Sequence, residues 1–265
     1  MILSYLIIPY NYLFIKNKYT IIILHGLFGN KKSLYVMGKF LNKYLKCKIV
    51  LLDLRNHGLS SHSKGMDYIF LSQDVLETLN FLNIKNNIII IGHSMGGKIA
   101  MKLTQLIPNK IKFIIILDIA PVKYKYFNKN IFNIFDIIYK KNILIKKKIF
   151  QIMKLYIKNL YIINTLLKVF KNGKWEFNLQ ILKNEYKKIL DWNILPRWNG
   201  NIYFLKSELS NYINFIYYNN IFNQFPFAKI YNIPNVGHLL YIENKKLILH
   251  LILKFLLKII FIGEK

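Results

Sequence analysis

Cysteine, arginine, alanine and acidic residues are all scarce in this chain. The single cysteine, Cys47, excludes an internal disulfide and suits a reducing compartment, so a cytoplasmic protein is expected. Of 39 basic residues only Arg55 and Arg197 are arginine. Proteins that read base edges use arginine for bidentate contacts to guanine. With arginine nearly absent, the formal net charge of +27 is read as compositional drift and no nucleic-acid partner is expected. The alanines, Ala100, Ala120 and Ala228, stand among a crowd of Ile, Lys, Asn, Tyr and Phe, a bias that follows A+T-rich codons. The bias serves as a filter. Glycine numbers only 12, yet Gly26, Gly29, Gly58, Gly92, Gly96, Gly97 and Gly237 gather in a few short segments. A glycine kept against such drift implies a backbone requirement.

Uninterrupted apolar spans are also missing. The N-terminal MILSYLIIPYNYLFIK lacks a basic leading region and is broken by Pro9, Asn11 and Tyr12. It is read as a pair of early strands, not a signal peptide. The run 247–262 resembles a membrane span, but Lys246, His250, Lys254 and Lys258 recur every four residues. That spacing puts them on one helical face and predicts an amphipathic helix packed on a sheet. No membrane span is expected.

What is present is alternation. Short apolar runs at 19–24, 48–52, 87–91, 112–117, 201–205 and 229–233 read as strands, with helices at 33–45, 71–82 and 96–106 between them. Wholly apolar strands alternating with helices predict one α/β domain with a mostly parallel sheet covered on both faces. From 122 to 196 no convincing strand is found. That stretch reads as several helices with a turn at Asn172-Gly173, hence a helical cap inserted into a core formed by 1–121 and 197–265.

In such sheets functional residues lie past the carboxyl ends of the strands. The strongest motif is Gly92-His93-Ser94-Met95-Gly96-Gly97, between a predicted strand and a predicted helix. This is the G-x-S-x-G nucleophile elbow in the strand–turn–helix context its sharp turn requires, and it nominates Ser94 as nucleophile. Of six histidines, His93 lies inside the elbow, His25 and His57 in glycine-containing turns, His62 close behind the second turn, and His250 on the polar stripe of the last helix. His238 follows a late strand and satisfies the chain order serine, acid, histidine, so it is the candidate base. Two acids compete for the third role: Asp118, which ends the strand after the elbow helix, and Glu208, which follows the next strand. Asp118 is preferred. The oxyanion hole is assigned to the backbone N–H groups of Met95 and, from the loop His25–Gly29, of Leu27. The segment 53–60 reads as a structural turn. No metal-ligand cluster is visible, and no metal is expected.

The motifs HGLFGN, DLRNHGLS, GHSMGGK, LDIAPVKY and NGKWEFN, running from about Tyr19 to the C-terminus, resemble those of bacterial esterases of the α/β-hydrolase fold. The resemblance implies hydrolysis of small acyl esters and acyl-CoA thioesters without metal or organic cofactor. It carries nucleophile, acid and base onto Ser94, Asp118 and His238, and adds Ser210 as a second serine beside the histidine. The loop around Ser210, Lys206-Ser207-Glu208, departs from the family's glycine-rich form. The expected activity is therefore a serine esterase working through an acyl-enzyme. The competing readings are a carbon–carbon bond hydrolase of the same fold and a catalytically dead binding or scaffold protein.

Overall fold

The computed structural model describes residues 1–9, 18–125 and 129–262. Its centre is a seven-stranded sheet of β1 (Tyr5–Ile8), β2 (Thr20–Leu24), β3 (Lys48–Leu52), β4 (Ile88–His93), β5 (Ile111–Leu117), β8 (Asn201–Ser207) and β9 (Lys229–Ile233). The spatial order is β1-β3-β2-β4-β5-β8-β9, and every pairing is parallel except the antiparallel edge pair β1–β3. Of the two early strands expected, β1 forms; the second falls on residues 10–17, outside the described residues.

The strands are apolar throughout because both faces are covered. Ile22, Leu24, Val50, Leu52, Ile90 and Ile116 belong to one core cluster. Their alternate neighbours Ile21, Ile23, Ile49, Leu51, Ile91 and Ile115 belong to the other. The period-2 geometry of a strand divides each run between the two sides. On one side lie α2 (Tyr68–Phe81) and α3 (Met95–Leu106); on the other lie α1 (Tyr35–Leu45) and α11 (Lys245–Leu257). α11 is the amphipathic helix anticipated from its lysine spacing: Ile248, Leu249, Ile252, Phe255 and Leu256 are buried while Lys246, His250 and Lys254 stay outside. Among the described residues no helix is long and apolar enough to cross a membrane.

Between β5 and β8 the chain forms α4 (Lys129–Lys140), α5 (Lys146–Tyr156), α6 (Leu160–Lys168), α7 (Leu179–Asn184) and α8 (Tyr186–Leu190). The expectation of no strand in this stretch needs one correction. A hairpin of β6 (Phe170–Lys171) and β7 (Lys174–Trp175) closes around Asn172 and Gly173, both at positive φ. An Asn-Gly pair at positive φ is the chemistry of a tight hairpin turn, but strands of two residues carry no alternation to read. The short α9 (Tyr218–Gln224) precedes β9, and α10 (Leu240–Glu243) precedes α11.

Candidate active site

Ser94 sits at the turn from β4, the middle strand, into α3. Its backbone has φ 51° and ψ −119°, strain that the surrounding glycines make feasible. A Cβ on Gly92 would overlap the carbonyl of Gly96, and one on Gly96 would come within 2.5 Å of the Leu24 carbonyl oxygen. Ser94 occupies the N-cap position of α3, where a serine hydroxyl usually accepts from the first turn. Here it makes no such cap bond. Its Oγ lies 3.0 Å from Nε2 of His238 instead.

His238 follows β9 through a short turn. Its Nδ1 is 2.8 Å from Oδ2 of Asp118. A carboxylate only accepts, so Nδ1 carries the proton and Nε2 is left as the acceptor for the serine hydroxyl. Asp118 is fully buried just past β5, with φ 53°. Its N–H donates to the Leu205 carbonyl, and its Oδ1 accepts from the N–H of Ser207 at 3.0 Å. Both carboxylate oxygens are thus engaged by groups from β8 and the β9 loop. The alternative acid, Glu208, is exposed and turned elsewhere: its Oε2 accepts from the Asn235 N–H at 2.8 Å.

Ser210 departs from the expectation. Its Oγ accepts from the N–H of Tyr212 at 3.3 Å and makes no hydrogen bond to Asp118 or His238. Oδ1 of Asp118 accepts from the backbone N–H of Ser207 in this altered loop instead. What lies on the His238 ring is Tyr212, stacked at 3.9 Å between centroids and 20° between planes.

The loop Gly26–Gly29 faces the elbow. The N–H of Gly29 bonds the Gly26 carbonyl at 3.0 Å, and the N–H of Phe28 is taken by Nε2 of His57 at 3.1 Å. The N–H groups of Leu27 and Met95 have no hydrogen-bond partner among the described residues, and both residues line the cavity above Ser94. Two unspent donors of this kind suit the developing charge of a tetrahedral intermediate.

Two histidines that the sequence reading set aside hold this loop. His25 donates from Nδ1 to the Gly26 carbonyl at 2.8 Å and accepts the Leu54 N–H on Nε2 at 3.0 Å. His57 donates from Nδ1 to the Arg55 carbonyl at 2.8 Å while accepting from Phe28. Each ring needs one bare nitrogen, so each must be neutral. Burial enforces this: desolvation lowers the His25 pKa and pushes that of His57 down to about 3. The turn holding His57 is itself braced by Asp53, which accepts from the N–H groups of Lys31 and Leu59 and pairs with the Lys31 ammonium. The NGKWEFN segment docks here, through the bonds Gly58 N–H to Glu176 carbonyl and Asn178 N–H to Asn56 carbonyl. Phe177 then packs on Phe28. A Gly-x-x-Gly loop followed at a distance by His-Gly was the available signal for this coupling, but nothing local links the two.

His93 turns away from the serine, as its place in the elbow implies. Its Nε2 donates to the carbonyl of His238 at 2.9 Å, and burial lowers its pKa well below the ordinary imidazole value. The cavity over Ser94 has a volume of about 120 Å³ and is mainly apolar, with Ile119, Ile131, Ile162, Leu166 and Ile189 in its wall. Among the described residues no group of three or more His, Cys, Asp or Glu could hold a metal ion.

The elbow, the parallel sheet and the placement of Ser94, Asp118 and His238 after β4, β5 and β9 define a class, and the chain belongs to the alpha/beta-hydrolase family. The model of the alpha/beta hydrolase fold matches residues 19–147. The chain is 33% identical to Esterase YbfF of Escherichia coli (strain K12) over 242 residues, covering 91% of this chain and 94% of that protein. It is 28% identical to the sn-1-specific diacylglycerol lipase ABHD11 of Xenopus laevis, over 89% of this chain and 78% of that protein. A solved marine microorganism esterase superposes with a TM-score of 0.82 at 31% identity, covering 96% of this chain and 99% of that one. These relatives are named as esterases and lipases, and they support a hydrolase.

Proposed function

We propose that the protein is a serine esterase that cleaves carboxylic esters, and acyl-CoA thioesters, through an acyl-enzyme. The observation that carries this reading is the continuous hydrogen-bonded chain Ser94–His238–Asp118 beneath an apolar cavity. In the proposed sequence Ser94 Oγ attacks the acyl carbonyl as His238 Nε2 takes its proton, and the Leu27 and Met95 N–H groups receive the oxyanion. The tetrahedral intermediate collapses as the imidazolium returns that proton to the leaving alcohol or thiol. Water, deprotonated by His238, then releases the acid and restores the serine. Asp118 holds the tautomer and stabilises the imidazolium. The helices of 122–196 act as a cap that shapes the acyl pocket, since Ile162 and Leu166 of α6 and Ile189 and Leu190 of α8 line it. The small-molecule substrate is a modest acyl group: a cavity of about 150 Å³ accommodates one benzene ring, and this one is of similar scale. No organic cofactor enters the scheme. Against a dead scaffold stand the two unspent oxyanion donors and a serine hydroxyl held on the His238 ring.

The test is a panel of p-nitrophenyl esters and acyl-CoA thioesters of increasing chain length with the purified protein. Turnover of short esters supports the reading, and a matching rate on thioesters supports its finer part. Turnover of a carbon–carbon substrate with no ester turnover would replace it.

A further inference from the structure

Lys98 is one helical turn past the nucleophile on α3, and it is 1% exposed. A lysine buried to that degree ordinarily faces a carboxylate. This one does not. Its Nζ donates to the carbonyls of Leu190 at 3.2 Å and Asp191 at 3.0 Å, where α8 ends. It also lies over three ring faces, Tyr124 at 4.8 Å, Tyr68 at 5.2 Å and Trp192 at 5.7 Å. The Asp191 carboxylate is directed to Lys123 instead, at 3.1 Å. Lys98, Ile189 and Leu190 all line the cavity over Ser94.

We infer that the Lys98 ammonium is a positioning group for substrate binding: it ties the cavity wall at 189–191 to the elbow helix and so sets KM, not the chemical step. The inference deepens the esterase reading and rests on it. Carbonyls at the end of a helix lack intrahelical donors; that of Leu190 also accepts the Tyr124 N–H at 3.0 Å, and the Lys98 ammonium donates to it and to the Asp191 carbonyl at once. The ring faces stabilise the same positive charge. Without the charge both contributions weaken, because charge-assisted bonds are about twice as strong as neutral ones. Burial makes that loss accessible, since desolvation brings the Lys98 pKa down to about 7. The groups facing it from the surrounding elements are Tyr68 of α2, Tyr124 after β5, and Asp191 and Trp192 after α8; Tyr186, Tyr212, His93 and His238 share the cavity. Burial raises Tyr68 and Tyr124 and lowers His93, away from the neutral range.

The experiment removes turnover and reads binding alone. In a Ser94→Ala background the affinity for p-nitrophenyl butyrate is measured by calorimetry from pH 6 to 8.5, with and without Lys98→Met. The Lys98-intact protein should lose about tenfold in affinity as pH rises. The K98M protein should bind at the weak level throughout. Superimposable profiles overturn the inference. Amide exchange of residues 186–192 in the Lys98-intact protein supplies a reading that needs no substitution at Lys98 and no ligand. Its protection should fall across the same pH range beyond what hydroxide catalysis gives, and constant protection overturns the inference. Failure of wild-type protein to hydrolyse any ester would instead sink the esterase reading, on which the ligand-free exchange measurement does not depend.

Discussion

Replacing Asp118 by asparagine tests the site through one hydrogen atom. Oδ1 of Asp118 accepts the Ser207 N–H at 3.0 Å, and Oδ2 faces Nδ1 of His238 at 2.8 Å. The amide can present its oxygen to only one of these. Flipped, its NH2 would meet the N–H of Ser207, donor against donor, in a fully buried site. The stable orientation keeps oxygen on Ser207 and turns NH2 toward the histidine. Nδ1 must then accept, so the proton moves to Nε2 and faces Ser94, and the base is lost. The imidazolium formed during attack also loses its counter-charge. Loss of this tautomer control costs about 10⁴-fold in kcat in the best-studied serine triad, or about 5 kcal/mol of barrier. The Asp118→Asn protein should fall by that order, assayed with a p-nitrophenyl ester, while circular dichroism and thermal melting show a folded chain. A folded variant that keeps more than a tenth of wild-type kcat would refute the reasoning.

Further outcomes follow from the same geometry. Glu208→Gln should stay within about tenfold of wild-type kcat, because a glutamine oxygen still accepts from Asn235 and nothing there touches the ring. Ser210→Ala should likewise keep kcat within about tenfold, since among the described residues its Oγ meets the Tyr212 N–H and neither Asp118 nor His238; a loss of several orders would restore the second serine to the site. The folded state should lose stability as pH falls below about 6.5, measured by urea melts at several pH values. The sign follows from His57, whose folded pKa is lowered to about 3: its contribution is present above the unfolded value and is lost as pH drops toward the folded one. His25 and His93 shift the same way. His57 alone is worth on the order of 5 kcal/mol across that window, and pH-independent stability between 6.5 and 4 would contradict this. A strong chelator should leave ester turnover unchanged, whereas collapse with chelator and recovery with zinc would reverse the reading.

Much of this arrangement was legible because its signals are local. Wholly apolar runs such as 88–91 announced buried parallel strands, and the elbow glycines stand out against a composition that disfavours glycine. Ser94 and His238 followed from strand ends and chain order. Asp118 and Glu208 both lie past strand ends, so both were candidates; the packing that puts Asp118 on the His238 ring and Glu208 on the Asn235 N–H distinguishes their surroundings. Contacts made across long sequence separations left no local trace. His57 meets Phe28 across 29 residues, and Lys98 meets Leu190 across 92. Lys98 falls where a helix lysine in a lysine-rich chain would ordinarily face solvent. Tyr212 lies on the ring where the family resemblance pointed to Ser210, and no periodicity reports a stacking partner.

The central claim is that Ser94 is the nucleophile, and intact mass after reaction with a fluorophosphonate tests it most directly. Wild-type protein should gain one phosphonyl group, mapped by peptide sequencing to Ser94, with complete loss of ester turnover. Ser94→Ala should remain unlabelled and lose about 10⁴–10⁶-fold in kcat, leaving only binding and oxyanion stabilisation. A Ser94→Ala protein that still labels, or that retains more than a tenth of wild-type turnover, would contradict the account.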